Sequence, residues 1–246
     1  MTEEAVDIIL PDGTADATVY RPDRPGRSPG VLHLTDVLGI RPATADMARR
    51  LAAAGHVVLQ PNIFFRTAKP PLFDFAPNFG DERTLKRFGE LAGPLTPAAM
   101  ERDAAGYIDY LARRPDVDPG RMGVVGYCFS GKFALHAAAA RPARIVAAAS
   151  FHGGHLATDA ADSPHTLLPR IKARLYFGHA VDDRSMTPAM IEKLESALEA
   201  WGGRFESETY AGALHGWTVP GSPIYNEPQA ERHFSRLTEL FTATLA

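Results

Sequence analysis

The chain has 246 residues, of which 45% are hydrophobic and 22% charged, and its formal net charge is -3. These values are ordinary for a globular protein with a sizeable core, and the length allows one domain or two. Lysine and arginine are dispersed without a basic stripe, which argues against a nucleic-acid partner. No apolar run approaches the roughly 20 residues that span a bilayer, which argues against a membrane partner.

Strand-like and helix-like segments alternate along the chain, after two strands at 6–10 and 14–20 that flank the turn signal Pro11-Asp12-Gly13. The further predicted strands are 31–34, 56–60, 121–125, 145–151, 173–177 and 205–210. The predicted helices are 43–54, 97–113, 129–140, 188–201 and 228–245. This alternation predicts an α/β protein with a mostly parallel central sheet and helices on both faces.

Neither an internal repeat nor a low-complexity linker interrupts the chain, so we expect residues 1–246 to form a single domain. Residues 62–94 are long for a loop and contain six phenylalanines. We interpret them as a lid or pocket-wall insertion, and the alternative is a satellite hydrophobic cluster under a long loop.

Cys128 is the only cysteine, so an intramolecular disulfide is excluded and the free thiol suits a reducing compartment. The N-terminus is acidic and lacks an apolar stretch of signal-peptide length, so we expect a cytoplasmic protein.

The lone cysteine follows a predicted strand and precedes a predicted helix, within Gly126-Tyr127-Cys128-Phe129-Ser130-Gly131. A strained strand-to-helix turn between small residues is the nucleophile elbow of α/β-hydrolases, with a thiol here in place of the usual hydroxyl. The alternative is that Cys128 is a small buried hydrophobe, as most free cysteines are.

An acid and a histidine follow later strands, in the order that a hydrolase triad requires. Asp183 lies in the loop after the strand 173–177, and His215 lies in the loop after the strand 205–210. The order nucleophile, acid, base is that of α/β-hydrolases. Asp182 competes for the acid role, Asp183 could instead cap the following helix, and His215 could be a solvated loop histidine.

Two backbone N–H groups are expected to form the oxyanion hole. One belongs to Phe129 at a helix N-terminus, and the other to Val37 in the loop after the strand 31–34. His152-Gly153-Gly154 resembles the oxyanion motif of some lipases, but it follows the nucleophile, so we interpret it as a turn. His152 and His155 lack a clear third ligand, and no metal site is predicted there.

With these motifs, the chain resembles the dienelactone hydrolase family over nearly its whole length. The resemblance is carried by Gly126-Tyr127-Cys128, by the Asp183 loop, by residues 212–217 and by residues 36–39. It implies a three-layer α/β-hydrolase fold and hydrolysis of a small ester or lactone through a Cys-Asp-His triad and an acyl-thioester. It also implies no metal or organic cofactor.

The resemblance assigns further residues. Asp36 matches a family glutamate that interacts with the resting thiol, and Arg83 matches an arginine that holds the substrate carboxylate. A second family arginine corresponds to Val219, which points to an ester, lactone or thioester other than dienelactone. Tyr127 and Trp217 flank the nucleophile and the base, and we expect them either to line the substrate site or to belong to the core.

Two other functions remain open. One is a cysteine-based redox or electrophile sensor, because a thiol at a helix N-terminus near a histidine oxidises readily. The other is a non-catalytic homologue that binds a small molecule. We expect a small-molecule partner and a monomer or small homo-oligomer. The Asp–His pair favours the hydrolase, since a sensor does not need both residues.

Overall fold

A mixed sheet of eight strands organises the computed structural model, which describes residues 1–245. The strands are β1 Thr2–Leu10, β2 Gly13–Arg21, β3 Ser28–Leu34, β4 Val57–Pro61, β5 Val117–Tyr127, β6 Ile145–Phe151, β7 Arg174–His179 and β8 Phe205–Thr209. Their order is β1-β2-β4-β3-β5-β6-β7-β8. β2 is antiparallel to β1 and β4, and the other neighbours are parallel. The predicted mostly parallel sheet is confirmed.

Helices cover both faces of this sheet. They are α1 Pro42–Ala53, α2 Glu82–Ala92, α3 Pro97–Arg113, α4 Ser130–Ala140, α5 Pro188–Trp201 and α6 Glu227–Leu245, with a short 3₁₀ helix at Pro164–Arg170. Because side chains alternate along a strand, neighbouring positions feed different cores. Leu32 of β3 packs in the core beneath α3, α4 and α5, whereas Val31 packs in the core beneath α1 and α6. The three-layer prediction is therefore confirmed.

The residues that predict the ends of α1, α3 and α5 cap these helices in the structure. The Thr96 hydroxyl accepts a hydrogen bond from the N–H of Ala99 at the start of α3, and Thr187 caps α5 in the same way. Each of these helices carries proline at its first position. Gly55 follows the end of α1 with a φ of 101°, the left-handed conformation that glycine adopts most readily.

The sequence pattern missed the start of β5 and the whole of α2. β5 begins at Val117 rather than 121: Val117 and Asp118 pair with β3, and the pairing shifts register before it resumes at Met122. The sequence pattern missed this start because Asp118-Pro119-Gly120 has the composition of a turn. α2 was not predicted at all, since its exposed, strongly polar sequence offers only two buried residues, Thr84 and Leu91. Among residues 1–245, no helix has both the length and the apolar character needed to cross a membrane.

Residues 62–94 pack against the rest of the molecule at several points. Phe64, Leu72 and Leu91 are buried in the core shared with α3 and α4. Arg66 forms two hydrogen bonds, of 2.7 and 2.8 Å, with the fully buried carboxylate of Asp103 on α3. This segment is therefore anchored at its beginning, at Leu72 and at its end, where α2 contributes Leu91.

Candidate active site

The loops after β3, β5, β7 and β8 meet at the carboxyl edge of the sheet. Parallel strands end at the same edge, and ligands of α/β proteins bind there. These four loops carry Asp36, Cys128, Asp183 and His215, which were candidate site residues from the sequence.

Cys128 occupies a strained turn between β5 and α4. Its φ is 56°, a value that residues with a side chain rarely adopt, and such strain is typical of functional turns. The turn is tight on both sides, because a Cβ on Gly126 would collide with the backbone of Ser130. A Cβ on Gly131 would lie 2.6 Å from the Cα of Gly153. Small residues are thus required at these positions by close packing, and the thiol stands above the sheet edge.

A chain of short contacts links the thiol to a histidine and an acid. The Nε2 atom of His215 lies 3.1 Å from the Sγ atom of Cys128, and Nδ1 lies 2.6 Å from Oδ2 of Asp183. The other carboxylate oxygen, Oδ1, accepts hydrogen bonds from the N–H and the hydroxyl of Ser185 at 2.8 and 2.7 Å. The carboxylate is therefore held on both oxygens, and it orients the imidazole toward the sulfur.

The electrostatics of this pair favour the charged forms. Burial acts to lower the pKa of His215, but the hydrogen bonds and negative charges of Asp183 and Cys128 outweigh it and raise that pKa to about 10. Burial acts to raise the pKa of Asp183, but hydrogen bonds from His215 and Ser185 lower it to about 2. At neutral pH the pair is a carboxylate and an imidazolium, which can donate a proton to a leaving group.

The two neighbouring aspartates differ in their surroundings. Asp182 has a φ of 51° and is exposed, whereas Asp183 is 7% exposed and contacts His215. The cap of α5 is Thr187, so the carboxylate of Asp183 is not used there. The structure thus brings Asp183 to the histidine and leaves Asp182 at the surface.

The two amides expected to form an oxyanion hole lie on loops that are tied together. The hydroxyl of Ser130 donates a 2.5 Å hydrogen bond to the carbonyl of Thr35, which joins the start of α4 to the loop after β3. Phe129 directly precedes α4 with helical dihedral angles, and its N–H belongs to the helix N-terminus. Within residues 1–245, neither the N–H of Phe129 nor that of Val37 donates a hydrogen bond. Both donors are available to a ligand.

Asp36 is engaged by an arginine of its own loop. Both carboxylate oxygens accept hydrogen bonds from the guanidinium of Arg41 at 2.6 Å, and Oδ1 also accepts from the N–H of Leu38. Arg41 donates in addition to the carbonyl of Gly39. Among the described residues, Asp36 forms no hydrogen bond with Cys128, so its predicted role at the thiol stays a prediction.

Arg83 lies on α2 with two thirds of its side chain exposed. Its guanidinium is 3.3 Å from the carboxylate of Asp74 and 3.8 Å from the ring centroid of Phe75. The arginine is thus paired at the surface in this state, and contact with a substrate carboxylate requires it to leave Asp74. Val219, which stands where the family has a second arginine, is buried.

Tyr127 and Trp217 are buried in an aromatic cluster below the site. Tyr127 is 2% exposed and its hydroxyl lies 3.3 Å from Nε2 of His233, while Trp217 is fully buried against Tyr210. Their rings support the loops that carry Cys128 and His215 from beneath. Direct contact of either ring with a substrate stays a prediction.

Three aromatic rings pack together beside Cys128. The ring of Phe129 lies 6.0 Å from that of Phe64 and 5.8 Å from that of Phe88, measured between centroids. Phe64 and Phe88 belong to residues 62–94, so this segment reaches the residue next to Cys128. Its predicted function as a lid or pocket wall is compatible with that contact.

Two residues near the site were not assigned to it from the sequence. Ser185 braces Asp183, and the short spacing Asp-x-Ser, in which a carboxylate bonds the backbone two residues on, could have indicated it. His152 lies with its ring centroid 5.2 Å from that of His215. Cys128, His152 and His215 bring three potential metal-ligand atoms within 4.8 Å of one another. No sequence pattern indicated this cluster, because the contact arises only when the loop after β6 meets the loop after β8.

Comparison with solved structures agrees with the fold. The crystal structure of a putative dienelactone hydrolase from Klebsiella pneumoniae superposes with a TM-score of 0.84 at 22% identity, covering 98% of this chain and 99% of that chain. At this identity the likeness shows the fold alone.

Comparison with known sequences identifies the family. A putative carboxymethylenebutenolidase of Synechocystis is 27% identical over 226 residues, 89% of this chain and 88% of its own length. The carboxymethylenebutenolidase of Rhodococcus opacus is 28% identical over 230 residues, 88% of this chain and 81% of its own length. The model of the dienelactone hydrolase family matches residues 15–245. This chain therefore belongs to the dienelactone hydrolase family.

Proposed function

We propose that this protein is a carboxylic ester hydrolase that cleaves a small ester or lactone with Cys128 as nucleophile, His215 as acid and base, and Asp183 as the orienting acid. The observation that carries the proposal is the unbroken contact chain from Sγ of Cys128 through both nitrogens of His215 to Asp183. A sulfur, an imidazole and a carboxylate in this order are the parts that acyl transfer needs.

In the first half-reaction, the sulfur of Cys128 attacks the carbonyl carbon and the carbonyl oxygen becomes an oxyanion. The free N–H groups of Val37 and Phe129 would bind that oxyanion. His215 gives its proton to the leaving alkoxide, the carbon–oxygen bond breaks, and an acyl-thioester remains. With a lactone, the leaving alkoxide stays attached to the acyl group.

In the second half-reaction, His215 accepts a proton from water, and the resulting hydroxide attacks the thioester carbonyl. The carbon–sulfur bond breaks, the acid is released, and His215 keeps the proton that it took from water, so the imidazolium and the free sulfur of Cys128 are restored. No redox equivalent or further group is consumed, so the residues of this chain account for both steps.

The experiment is hydrolysis of a panel of aryl acetates and lactones by the wild type, Cys128→Ala and His215→Ala. We expect either substitution to lower kcat by about 10³- to 10⁴-fold, and the double variant to lose no more than either single variant, because triad members act as a unit. Undiminished turnover by Cys128→Ala would contradict the proposal. Inactivity of the wild type toward the whole panel, with sulfenic acid forming at Cys128 in mild peroxide, would favour the sensor.

A further inference from the structure

His152 lies beside the triad but has no part in the reaction proposed above. Its side chain is 1% exposed, so the ring is sheltered from water. Neutral imidazole is the form of histidine that binds metal ions. The ring also packs against Trp217 at a centroid distance of 5.0 Å, which fixes its position next to His215.

One ring nitrogen of His152 has a partner and the other has none. Nε2 lies 2.8 Å from the hydroxyl of Thr218, whereas Nδ1 is buried without a hydrogen-bond partner among residues 1–245. When Nε2 donates to Thr218, Nδ1 carries a lone pair. A ligating histidine commonly donates its second ring N–H to a neighbouring oxygen in this way.

The surrounding side chains supply two more ligand atoms of the right kind. Potential ligand atoms of Cys128, His152 and His215 lie within 4.8 Å of one another, and the Sγ–Nε2 distance between Cys128 and His215 is already 3.1 Å. Zn²⁺ binds thiolate sulfur at about 2.3 Å and imidazole nitrogen at about 2.0–2.1 Å in tetrahedral geometry. Ligand atoms of such a site are separated by roughly 3.5 Å, so shifts of about 1 Å would complete it.

We propose that Cys128, His152 and His215 form an inhibitory site for a thiophilic divalent cation of the Zn²⁺ type. A tetrahedral ion held by these three side chains keeps a fourth position for water. Coordination releases the proton shared by Cys128 and His215, and it occupies the nucleophile and the base together. The ion is therefore an inhibitor here and not a cofactor. Only the inhibition rests on the proposed function, since coordination itself does not need catalysis.

His152→Asn and His155→Asn form a matched pair for the test. Both histidines have positive φ, 41° and 54°, and asparagine tolerates that conformation better than most residues. His155 is exposed and lies outside the cluster of ligand atoms. The chelator-treated full chain is titrated with Zn²⁺ while ester hydrolysis is followed. A second titration with Co²⁺ follows the thiolate-to-cobalt charge-transfer absorption.

We expect His155→Asn to behave as the wild type and His152→Asn to lose at least about tenfold in Zn²⁺ and Co²⁺ affinity. Thr218→Val, which removes the partner of Nε2 but keeps all three ligands, should weaken both affinities by about 10- to 100-fold. It serves as the second variant if His152→Asn fails to fold. Equal affinities in the wild type, His152→Asn and Thr218→Val would overturn the proposal.

The cobalt spectrum separates the two proposals. A charge-transfer band that disappears in Cys128→Ala would support the metal site even in a protein without esterase activity. Active enzyme that binds stoichiometric Co²⁺ without that band would contradict the metal site and leave the hydrolase proposal intact.

Discussion

At the scale of single residues, Ser185 holds the carboxylate of Asp183, and that carboxylate orients the ring of His215. Asp183 accepts two hydrogen bonds from Ser185 through one oxygen and contacts His215 through the other. The carboxylate can rotate little, so it selects the tautomer and the direction of the imidazole. In the proposed acyl transfer, this fixed geometry would stabilise the imidazolium of His215.

Asp183→Asn is the sharpest single-residue test, and its neighbour is the control. An amide is neutral and favours the wrong tautomer of His215, so we expect kcat to fall by up to about 10⁴-fold. Asp182→Asn should leave kcat within about twofold, because a surface substitution away from the site changes little. Both variants are measured with the same aryl acetate. Equal losses in the two variants would contradict the assignment of the acid.

The sequence identifies Cys128 and His215 as candidates, because strand order alone places their loops at one edge of the sheet. It does not separate Asp182 from Asp183, since two adjacent acids share that loop. The backbone conformation separates them, because Asp182 has a positive φ and the carboxylate of Asp183 then points inward to His215. The position of His152 near the site could not be predicted from local sequence, because only the folded chain brings it to His215.

At the scale of elements, the loop after β3 is held in shape by the Asp36–Arg41 pair. The pair is largely sheltered from water, with the two side chains 11% and 24% exposed. Arg41 also donates to the carbonyl of Gly39, so it closes the loop that carries Val37 onto the start of α1. The N–H of Val37 is therefore positioned by a side chain other than the proposed triad residues.

Arg41→Met should affect both stability and rate. It leaves the Asp36 carboxylate without its main partner, which costs about 1–3 kcal/mol in the free energy of unfolding. Loss of one oxyanion donor lowers kcat by about 10²- to 10³-fold, which sets the upper limit of the effect. Chemical denaturation and steady-state kinetics measure the two quantities.

Arg49→Met, on the helix α1 that Arg41 directly precedes, is the matched control. Its ion pairs with Glu3 and Asp46 are solvent-exposed, so it should change stability by less than about 1 kcal/mol and leave kcat unaltered. Unchanged kcat in Arg41→Met would refute the positioning role. If Asp36 acts on the thiol instead, Asp36→Asn shifts the pH dependence of Cys128 alkylation and Arg41→Met has a smaller effect.

Elements with a strong apolar period and defined caps were predictable, as α3 and α5 illustrate. α2 was not, because it buries only Thr84 and Leu91 and its pattern is nearly all polar. The start of β5 was not predicted, because Asp118-Pro119-Gly120 has the composition of a turn. The strand nevertheless begins earlier, since Val117 and Asp118 pair with β3 ahead of a register shift. Tertiary contacts, and not local preference, define these two elements.

At the scale of the whole molecule, buried neutral histidines link stability to pH. Burial lowers the pKa of six buried histidines below 6.5, to about 3 for one, to about 4 for four, and well below the ordinary value for the sixth. Below pH 6.5 the unfolded chain binds protons at these residues, whereas the folded chain does not. Their contribution to stability is therefore present above pH 6.5 and is lost as the pH falls toward 4.

We expect the free energy of unfolding to fall steadily between pH 6.5 and pH 4, by up to about 1.4 kcal/mol per pH unit for each buried histidine. Urea denaturation at several pH values measures this slope. His56→Phe should reduce this slope by the contribution of one proton. The substitution should be tolerated, because the ring packs edge-on against Phe241 and its Nδ1 has no hydrogen-bond partner to lose. A constant free energy from pH 7 to pH 5 would contradict the expectation.

The measurement that tests the central claim most directly is rapid-quench mass spectrometry with an activated aryl acetate. The account predicts that wild-type protein gains one acetyl group on the peptide containing Cys128, that hydroxylamine removes it, and that Asp183→Asn accumulates it more slowly. Turnover without any adduct on Cys128, or an acetyl group on another residue that persists in Cys128→Ala, would contradict a cysteine-based acyl transfer.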